Sequence, residues 1–224
     1  MDQHHAGSGP AKNMENTNTA TFDAAIMRWV SPARAKGDIR YYLDGIMVEP
    51  HKEKGVYLVA TNGRFMSVAY DENGTATGPM IINPTAAAVK IASKTQNSRS
   101  EKAASKVVIA GDRLTMMNFN GQELYVQPGK CLIEANYPDW RGVLKGTDKL
   151  VPGGDAFVRT DYIGKIGSEI VEQWGHHRDG VHIMRREGDD PRHAAQFVHF
   201  GSIPMVGVIM PMREGAHEPF GWFL

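Results

Sequence analysis

The chain has 224 residues and no net charge, since 25 lysines and arginines balance 25 aspartates and glutamates, so any DNA-facing surface must arise from local segregation of charge. A single cysteine, Cys131, excludes an internal disulfide framework and is typical of a reducing cytosol. No apolar run reaches the ~20 residues of a membrane span and no signal-peptide core begins the chain, which favours a soluble cytoplasmic protein without membrane contact.

The first third of the chain predicts a tail, a helix and a β meander. Residues 1–18 lack apolar periodicity, which predicts a disordered tail. Apolar residues then recur at helical spacing, with Thr21 as the predicted N-cap and Pro32 as the stop. They are Phe22, Ala25, Ile26, Trp29 and Val30. Between residues 38 and 69, β-rich runs broken by Asp44-Gly45 and Asn62-Gly63 predict strands that fold back through tight turns.

The order of a helix followed by strands recurs along the rest of the chain. Met80–Ile82 reads as a buried strand, followed by a helix with Asn83 as its cap and Pro84 as its first residue. The strands predicted after it are Val107–Ala110, Leu114–Phe119, Glu123–Val126 and Cys131–Ala135. A third unit is predicted to begin with a strand, Asp155–Arg159, and a helix capped by Thr160 or Asp161. The apolar stripe of this helix is Ile163, Ile166, Ile170 and Trp174. The strands predicted after it are Gly180–Arg186, Ala195–Phe200 and Met205–Met210. Three units of one β-α-β-β-β plan predict an α+β fold with an internal repeat.

Four short motifs occur in a fixed order along the chain. They are Arg40-Tyr-Tyr-Leu43, Ala60-Thr-Asn-Gly63, Tyr137-Pro-Asp-Trp-Arg141 and Met210-Pro-Met-Arg213. In this order they resemble the bacterial sliding clamp, the beta subunit of DNA polymerase III, over most of residues 20–213. The resemblance implies a DNA-clamp-like fold, with antiparallel sheets on the outside and helices on the inner face.

The resemblance also implies a domain organisation. Residues 1–18 form the tail, residues 19–148 a clamp-like domain of two units like the family's middle domain, residues 149–213 a half-domain like the last half of its final domain, and residues 214–224 an aromatic extension. The chain thus has three units where the family has six. This implies either a homo-oligomeric ring with a different number of chains, four by unit count, or a protein that binds clamp partners without encircling DNA.

The resemblance assigns a groove for short linear peptides of polymerases and other clamp-binding proteins. Its positions are Thr61, Gly63, Arg64, Met66, Pro138, Val143, Val208, Met210, Pro211 and Met212. Methionine suits such a groove because its flexible side chain adapts to varied apolar anchors. Phe65 replaces a usual basic residue and Gly142 a common arginine, which predicts a different peptide preference.

A second surface implied by the resemblance binds duplex DNA without reading its sequence, through cations on helices that contact phosphate. The candidates are Arg28, Arg34, Lys36, Arg40, Tyr41, Tyr42, Lys90, Lys94, Arg99 and Lys102. Tyrosine beside arginine can also stack on an exposed base. The third predicted helix carries Glu169 and Glu172 with Lys165, which predicts an uneven positive lining.

Two other functions compete with a clamp that is loaded on DNA and serves a polymerase as a processivity factor. A reduced clamp of phage or mobile-element origin could act as a decoy that captures clamp-binding peptides. The less favoured alternative is a metal-dependent enzyme that uses His176, His177, His182, His193, His199 and the pair Asp189-Asp190. Metal-ligand spacings, glycine-rich phosphate loops and nucleophile elbows do not occur, so no catalytic residue, metal or cofactor is predicted.

Overall fold

The computed structural model describes residues 18–154, 156–159, 161–165, 181–200 and 203–212. Its strands are β1 Thr19–Asp23, β2 Ile46–Pro50, β3 Val56–Thr61, β4 Phe65–Asp71, β5 Thr75–Ala76, β6 Met80–Ile82, β7 Lys106–Ala110, β8 Arg113–Met117, β9 Glu123–Val126, β10 Leu132–Ile133, β11 Leu150–Pro152, β12 Val181–Arg186, β13 Gln196–Phe200 and β14 Met205–Ile209. Its helices are α1 Ala24–Val30, α2 Ala86–Ile91 and α3 Trp140–Val143, and residues 161–165 are also helical. The predicted tail up to residue 17, most of the third predicted helix and the extension 214–224 lie outside the described residues.

Within the described residues the strands form two antiparallel sheets, in the orders β5-β1-β7-β8-β9 and β10-β6-β2-β3-β4-β14-β13-β12-β11. The first unit is β1, α1 and β2–β4, and the second is β6, α2 and β7–β9. These two units exchange their leading strands, because β1 pairs with β7 and β6 pairs with β2. The third unit is β11, the helical residues 161–165 and β12–β14, and it joins the larger sheet through β14 and β4. The predicted α+β fold of repeated β-α-β-β-β units is confirmed.

Two apolar clusters lie on opposite faces of the nine-stranded sheet, because side chains alternate along each strand. Phe65 and Ala69 of β4 join the larger cluster, which also contains the buried face of α1 and Tyr162 of the helical segment. Met66 and Val68 join the smaller cluster, which contains Trp140 of α3. Helices α1 and 161–165 therefore lie on one face and α3 on the other. The predicted domain boundary at residue 148 stays a prediction; β4 and β14, on either side of it, are adjacent in one sheet.

The start of the first helix differs from the prediction. Thr21 is not its N-cap, because Thr21 and Phe22 lie in β1, where Phe22 is buried in register with Val107. Asp23 caps α1 instead, and its carboxylate accepts a hydrogen bond from the backbone N–H of Ala25 at 2.8 Å. The prediction was wrong because Phe22, although it lies in a strand, is four positions before Ile26 and so fits the spacing of a helix. The helix ends at Val30, followed by a 3-10 turn, Ser31–Ala33, that contains the predicted stop.

The second helix is capped by Thr85, not by Asn83. The Thr85 hydroxyl accepts a hydrogen bond from the backbone N–H of Ala88 at 3.2 Å, and α2 runs only to Ile91. The Asn83 N–H instead donates to the carbonyl of Cys131 at 2.7 Å. Asn83 thus continues the contact between β6 and β10 before the chain turns into the helix.

Two predicted strands are replaced by other structure. Tyr41–Asp44 forms a 3-10 turn, since the N–H of Leu43 donates to the carbonyl of Arg40 at 2.8 Å. The leading strand of the third unit is Leu150–Pro152, whereas residues 156–159, part of the predicted strand Asp155–Arg159, are irregular. Both errors follow from short apolar runs, whose spacing does not distinguish a strand from a turn. Within the described residues no helix is long and apolar enough to cross a bilayer.

Asp23 predicts an unusual dependence of stability on pH. Burial raises the pKa of its carboxyl from 3.8 to about 6, although N–H groups of Asn97 and Ala25 donate to it; the nearby carboxylate of Asp71 raises it further. The folded state therefore holds this proton more tightly than the unfolded state does. The contribution to stability is greatest below pH 3.8 and is lost as the pH rises to about 6, by up to roughly 3 kcal/mol.

Urea unfolding at pH 4, 5, 6 and 7 tests this contribution. Relative to the unmodified protein, Asp23→Asn is expected to become progressively more stable between pH 4 and 6. The substitution Asp148→Asn, at an exposed aspartate, serves as the control and is expected to show no such trend. A constant difference between Asp23→Asn and the unmodified protein over this range would contradict the assignment.

Candidate functional site

Three distant segments meet where β4 pairs with β14. Met66 lies opposite Val208 in this pair, and the N–H of Met210 donates to the carbonyl of Arg64 at 2.8 Å. The hydroxyl of Tyr137 donates to the carbonyl of Val59 at 3.2 Å, and burial raises the pKa of Tyr137. Side chains of β3 and β4, of the segment 137–144 and of β14 therefore pack into one apolar cluster, and we name the surface around it the seam.

The predicted groove residues divide into a floor and a rim. Thr61, Met66 and Val208 are buried and would form the floor of the predicted groove. The exposed or partly exposed residues, which would form the rim, are Val143, Met210, Met212, Pro138, Pro211, Gly63 and Arg64. The methionines at 210 and 212 have 45% and 43% exposure, which leaves apolar surface available to a ligand.

The turn at Asn62-Gly63 is set by side-chain hydrogen bonds and a positive φ. The Thr61 hydroxyl donates to the carbonyl of Phe65 at 2.9 Å and accepts from the N–H of Gly63 at 3.0 Å. Gly63 has φ +85°, a conformation that favours glycine, and a Cβ there would lie 3.1 Å from the guanidinium of Arg40. The residue types of the motif thus follow from its local geometry.

Helix α3 is held on the sheet by Glu49 and Arg186, which the sequence did not indicate as site residues. The indole N–H of Trp140 donates to the Glu49 carboxylate at 3.0 Å, and Arg141 pairs with the same carboxylate. Arg186 of β12 donates to the carbonyls of Val143 and Lys145. Glu49 is 91 positions from Trp140, so no local pattern could have identified it.

A cavity of about 450 Å³ lies beside the predicted groove residues on the same face of the sheet. None of the ten predicted groove residues lines it. Its apolar lining includes Tyr57, Val68, Tyr70, Trp140, Leu144 and Val206. Val68 and Val206 each lie two positions from a floor residue of the groove, Met66 or Val208, and two residues along a strand is one step on the same face. Apolar surface therefore continues along the seam beyond the predicted residues.

The two departures from the family pattern have structural explanations. Phe65 points away from the groove, is 1% exposed and stacks on Tyr162 with 5.3 Å between ring centroids. Its identity therefore reflects core packing. Gly142 lies in the first turn of α3, where its N–H donates to Asp139 at 3.0 Å and a Cβ would lie 2.7 Å from the other carboxylate oxygen. An arginine there would require this cap to move.

A basic cleft of about 1010 Å³ lies on the face that carries α1. Its charged lining residues are Arg28, Arg34, Lys36, Arg40, Arg64, Lys90, Lys165 and, with opposite charge, Asp38. Five of these are predicted DNA-contacting residues, while Arg64 was assigned to the peptide groove. Fixed cations gathered in a concave surface create a local positive potential despite the neutral chain.

Two of the predicted DNA-contacting arginines also hold the helices together. Arg28 donates to the carbonyl of Ala92 at 3.0 Å, just beyond α2. Arg34 donates to the carbonyl of Pro84 at 2.8 Å, and burial lowers its pKa. Their guanidinium groups satisfy backbone acceptors at the two ends of α2, so they support the cleft as well as adding charge.

The other predicted DNA-contacting residues are not all in the cleft. Lys94 and Lys102 line an adjoining cavity of about 580 Å³ that also includes Arg28 and Lys90. Arg99 lines a separate cavity near Asp23. Tyr41 and Tyr42 form an edge-to-face pair with 6.0 Å between ring centroids, and neither lines the basic cleft.

The histidines are dispersed in the part of the chain that the structure describes. There, no three His, Cys, Asp or Glu side chains come together as a metal site. His193 contacts Asp190 at 2.7 Å, and burial raises the pKa of the Cys131 thiol to about 11. His176 and His177 lie outside the described residues.

Comparison with known proteins gives a result at the level of structure only. No protein-family model and no curated protein sequence matches the chain. A Pseudomonas aeruginosa DNA polymerase sliding clamp with ligand superposes with a TM-score of 0.58 and 14% identity, covering 95% of this chain and 69% of the clamp. The DNA polymerase III subunit beta from Borrelia burgdorferi, in complex with a natural product, gives 0.56 and 11%, covering 94% and 66%. A P. aeruginosa sliding clamp bound to griselimycin gives 0.50 and 15%, covering 95% and 68%.

The chain has the sliding-clamp fold. The resemblance carried by the four sequence motifs is thus confirmed for the fold. The chain spans about two thirds of the length of these clamps. At 11–15% identity the likeness describes architecture, and the roles of individual residues rest on the geometry of the seam and the basic cleft.

Proposed function

We propose that this chain is a sliding-clamp-like DNA replication protein and a polymerase processivity factor. In this proposal it binds short peptide motifs of a DNA polymerase and of other replication and repair proteins, encircles duplex DNA as a homo-oligomer in the cytoplasm, and catalyses no reaction itself. The observation that carries the proposal is the meeting of three distant segments at the seam.

The burial and exposure of its residues support the assignment of the seam as a peptide-binding groove. Its floor is buried and packed, while its rim carries the half-exposed methionines 210 and 212, which can adapt to varied apolar side chains. The neighbouring cavity of about 450 Å³ falls in the size range of ligand sites. Titration of a labelled polymerase-derived peptide into the protein tests this part of the proposal, and saturable binding is expected.

The basic cleft is the proposed DNA-contacting surface. Replacement of Lys36 and Lys90 with alanine is expected to weaken binding to a duplex of arbitrary sequence about tenfold at low salt. The slope of log K against log salt is expected to decrease by about 2, since each lost phosphate contact accounts for about 0.9. Fluorescence anisotropy with a labelled duplex at several salt concentrations measures both quantities.

The matched control replaces two exposed lysines outside the cleft, Lys52 and Lys130, with alanine. This variant has the same net charge as the cleft variant. Equal loss of affinity in the two variants would contradict a specific role of the cleft and would point to total charge alone.

A decoy that binds clamp partners without encircling DNA is the alternative function. The observation that favours it is that the described residues form three units, an odd number, whereas the exchange of leading strands joins units in pairs. A polymerase processivity assay on primed circular DNA, with and without a clamp loader, distinguishes the two. Longer products support the clamp, whereas inhibition relieved by added peptide supports the decoy.

A further inference from the structure

The first two units of the chain complete each other by strand exchange. The strand β1 leaves its own unit and pairs with β7, the strand that follows α2. In return β6 pairs with β2, the first strand after α1. Each leading strand therefore occupies the same position in the partner unit, beside the first strand after the helix.

The third unit fills this position with its own leading strand. The strand β11 pairs antiparallel with β12, the first strand after the helical residues 161–165, and Pro152 lies opposite Met184. The position is equivalent to those occupied by β1 and β6, but the strand comes from the same unit. Among the described residues no fourth unit is present to exchange with it.

The connection between leading strand and helix also distinguishes the third unit. Asp23 of β1 is followed directly by α1, and only residues 83–85 separate β6 from α2. In the third unit, residues 153–160 separate β11 from the helical segment. Eight residues span up to roughly 26 Å when extended, which suffices either to return to the same unit or to cross to another copy.

Apolar side chains of the third unit are exposed next to this connection. Ile163 in the helical segment is 41% exposed and Phe157 is 48% exposed. In the first two units α1 lies against α2, and Ile26 and Ala88 on these helices are fully buried. If the third unit of another copy packed on this one as the second unit packs on the first, its helix would lie against Ile163.

We propose that two copies of the chain associate through their third units and exchange β11. Each β11 then pairs with β12 of the other copy, just as β1 and β6 are exchanged within one chain. Such an exchange replaces each contact with an identical one, so it costs little in pairing energy, and the dimer gains the contact between helices. The dimer contains six units, and two dimers supply the four chains that a ring requires by unit count. The inference does not depend on peptide or DNA binding.

Disulfide formation between two singly substituted chains tests the exchange. Chains carrying Pro152→Cys are mixed with chains carrying Met184→Cys, unfolded, refolded together and oxidised. A covalent mixed dimer that reductant dissociates is expected, because these positions are opposed across β11 and β12. The buried Cys131, with its raised pKa, forms little thiolate, so the unmodified chain is expected to give no covalent dimer.

The control is a matched pair from strands that stay within one chain. Val108→Cys and Thr115→Cys are opposed across β7 and β8, and in separate chains they are expected to give no mixed dimer. The double variant Pro152→Cys/Met184→Cys gives a disulfide between chains if β11 is exchanged. A disulfide confined to one chain would overturn the proposal.

Light scattering provides a readout that needs no cysteine. The unmodified protein is expected to have at least twice the 24.7 kDa mass of one chain at micromolar concentration. Ile163→Glu is expected to weaken dimerisation at least tenfold, since it places a charge in the helix contact. Ile39→Glu, at a 99% exposed isoleucine of the first unit, is expected to have no effect. A monomeric mass, or equal effects of the two substitutions, would also overturn the proposal.

Discussion

Replacing Met210 and Met212 together with aspartate is expected to lower the affinity for a polymerase-derived peptide about 100-fold or more. Both side chains are nearly half exposed, so a bound peptide would bury apolar surface that the free protein leaves in water. Burial of a methionine contributes about 1.5–3 kcal/mol, and a loss of about 2.7 kcal/mol corresponds to 100-fold in affinity. Fluorescence anisotropy with the labelled peptide measures the change.

The fold is expected to survive this double substitution. The backbone at these positions is held by hydrogen bonds from the N–H of Met210 to Arg64 and from the N–H of Met212 to Phe157, both at 2.8 Å. The matched control is Phe119→Asp, at a 44% exposed phenylalanine just beyond β8 in the other sheet. Unchanged peptide affinity in the double variant, with normal binding by the control, would rule out the seam as the peptide site.

Phe65→Ala is expected to destabilise the protein by about 3–5 kcal/mol, the range for a fully buried phenylalanine. Phe65 lies in β4 opposite Ile209 of β14, and its ring stacks on Tyr162. It therefore joins the first unit to the third. Its removal leaves a cavity in the larger apolar cluster. The urea dependence of the tryptophan fluorescence measures the free energy of unfolding.

Phe119→Ala serves as the comparison for this substitution, since an exposed phenylalanine contributes little to packing. It is expected to change the free energy of unfolding by no more than about 0.5 kcal/mol. A loss below about 1 kcal/mol for Phe65→Ala would mean that the contact between the first and third units contributes little to stability.

The order of elements could be read from the sequence wherever turn residues punctuate alternating apolar runs. Met80–Ile82 and Glu123–Val126 were predicted with their observed bounds, and the hairpin at Asn62-Gly63 was predicted at its observed position. These features are local, because turn geometry and strand alternation depend on neighbouring residues. The leading strand at Leu150–Pro152 was missed because it contains a proline, which disfavours a strand interior, and because the strand was assigned to the nearby run Asp155–Arg159 instead.

The side of the sheet on which each residue lies was harder to predict. Arg64 was grouped with the peptide groove, yet its side chain lines the basic cleft, and Phe65 turns into the core on the α1 face. Phe65 and Met66 are consecutive residues of β4 and point to opposite faces of the sheet, so one short motif supplies two different surfaces. Only the pairing of β4 with β14 shows which face carries the seam.

By itself, the sequence determined the repeated plan of a helix and strands and, through four ordered motifs, the sliding-clamp fold. The tertiary structure decided which strands pair between units, which cations share a cleft and which residues support the seam, such as Glu49 and Arg186. The physical reason is separation along the chain. Periodicity and capping act over a few residues. Strand exchange and side-chain contacts instead join distant residues, such as Glu49 and Trp140, which are 91 positions apart.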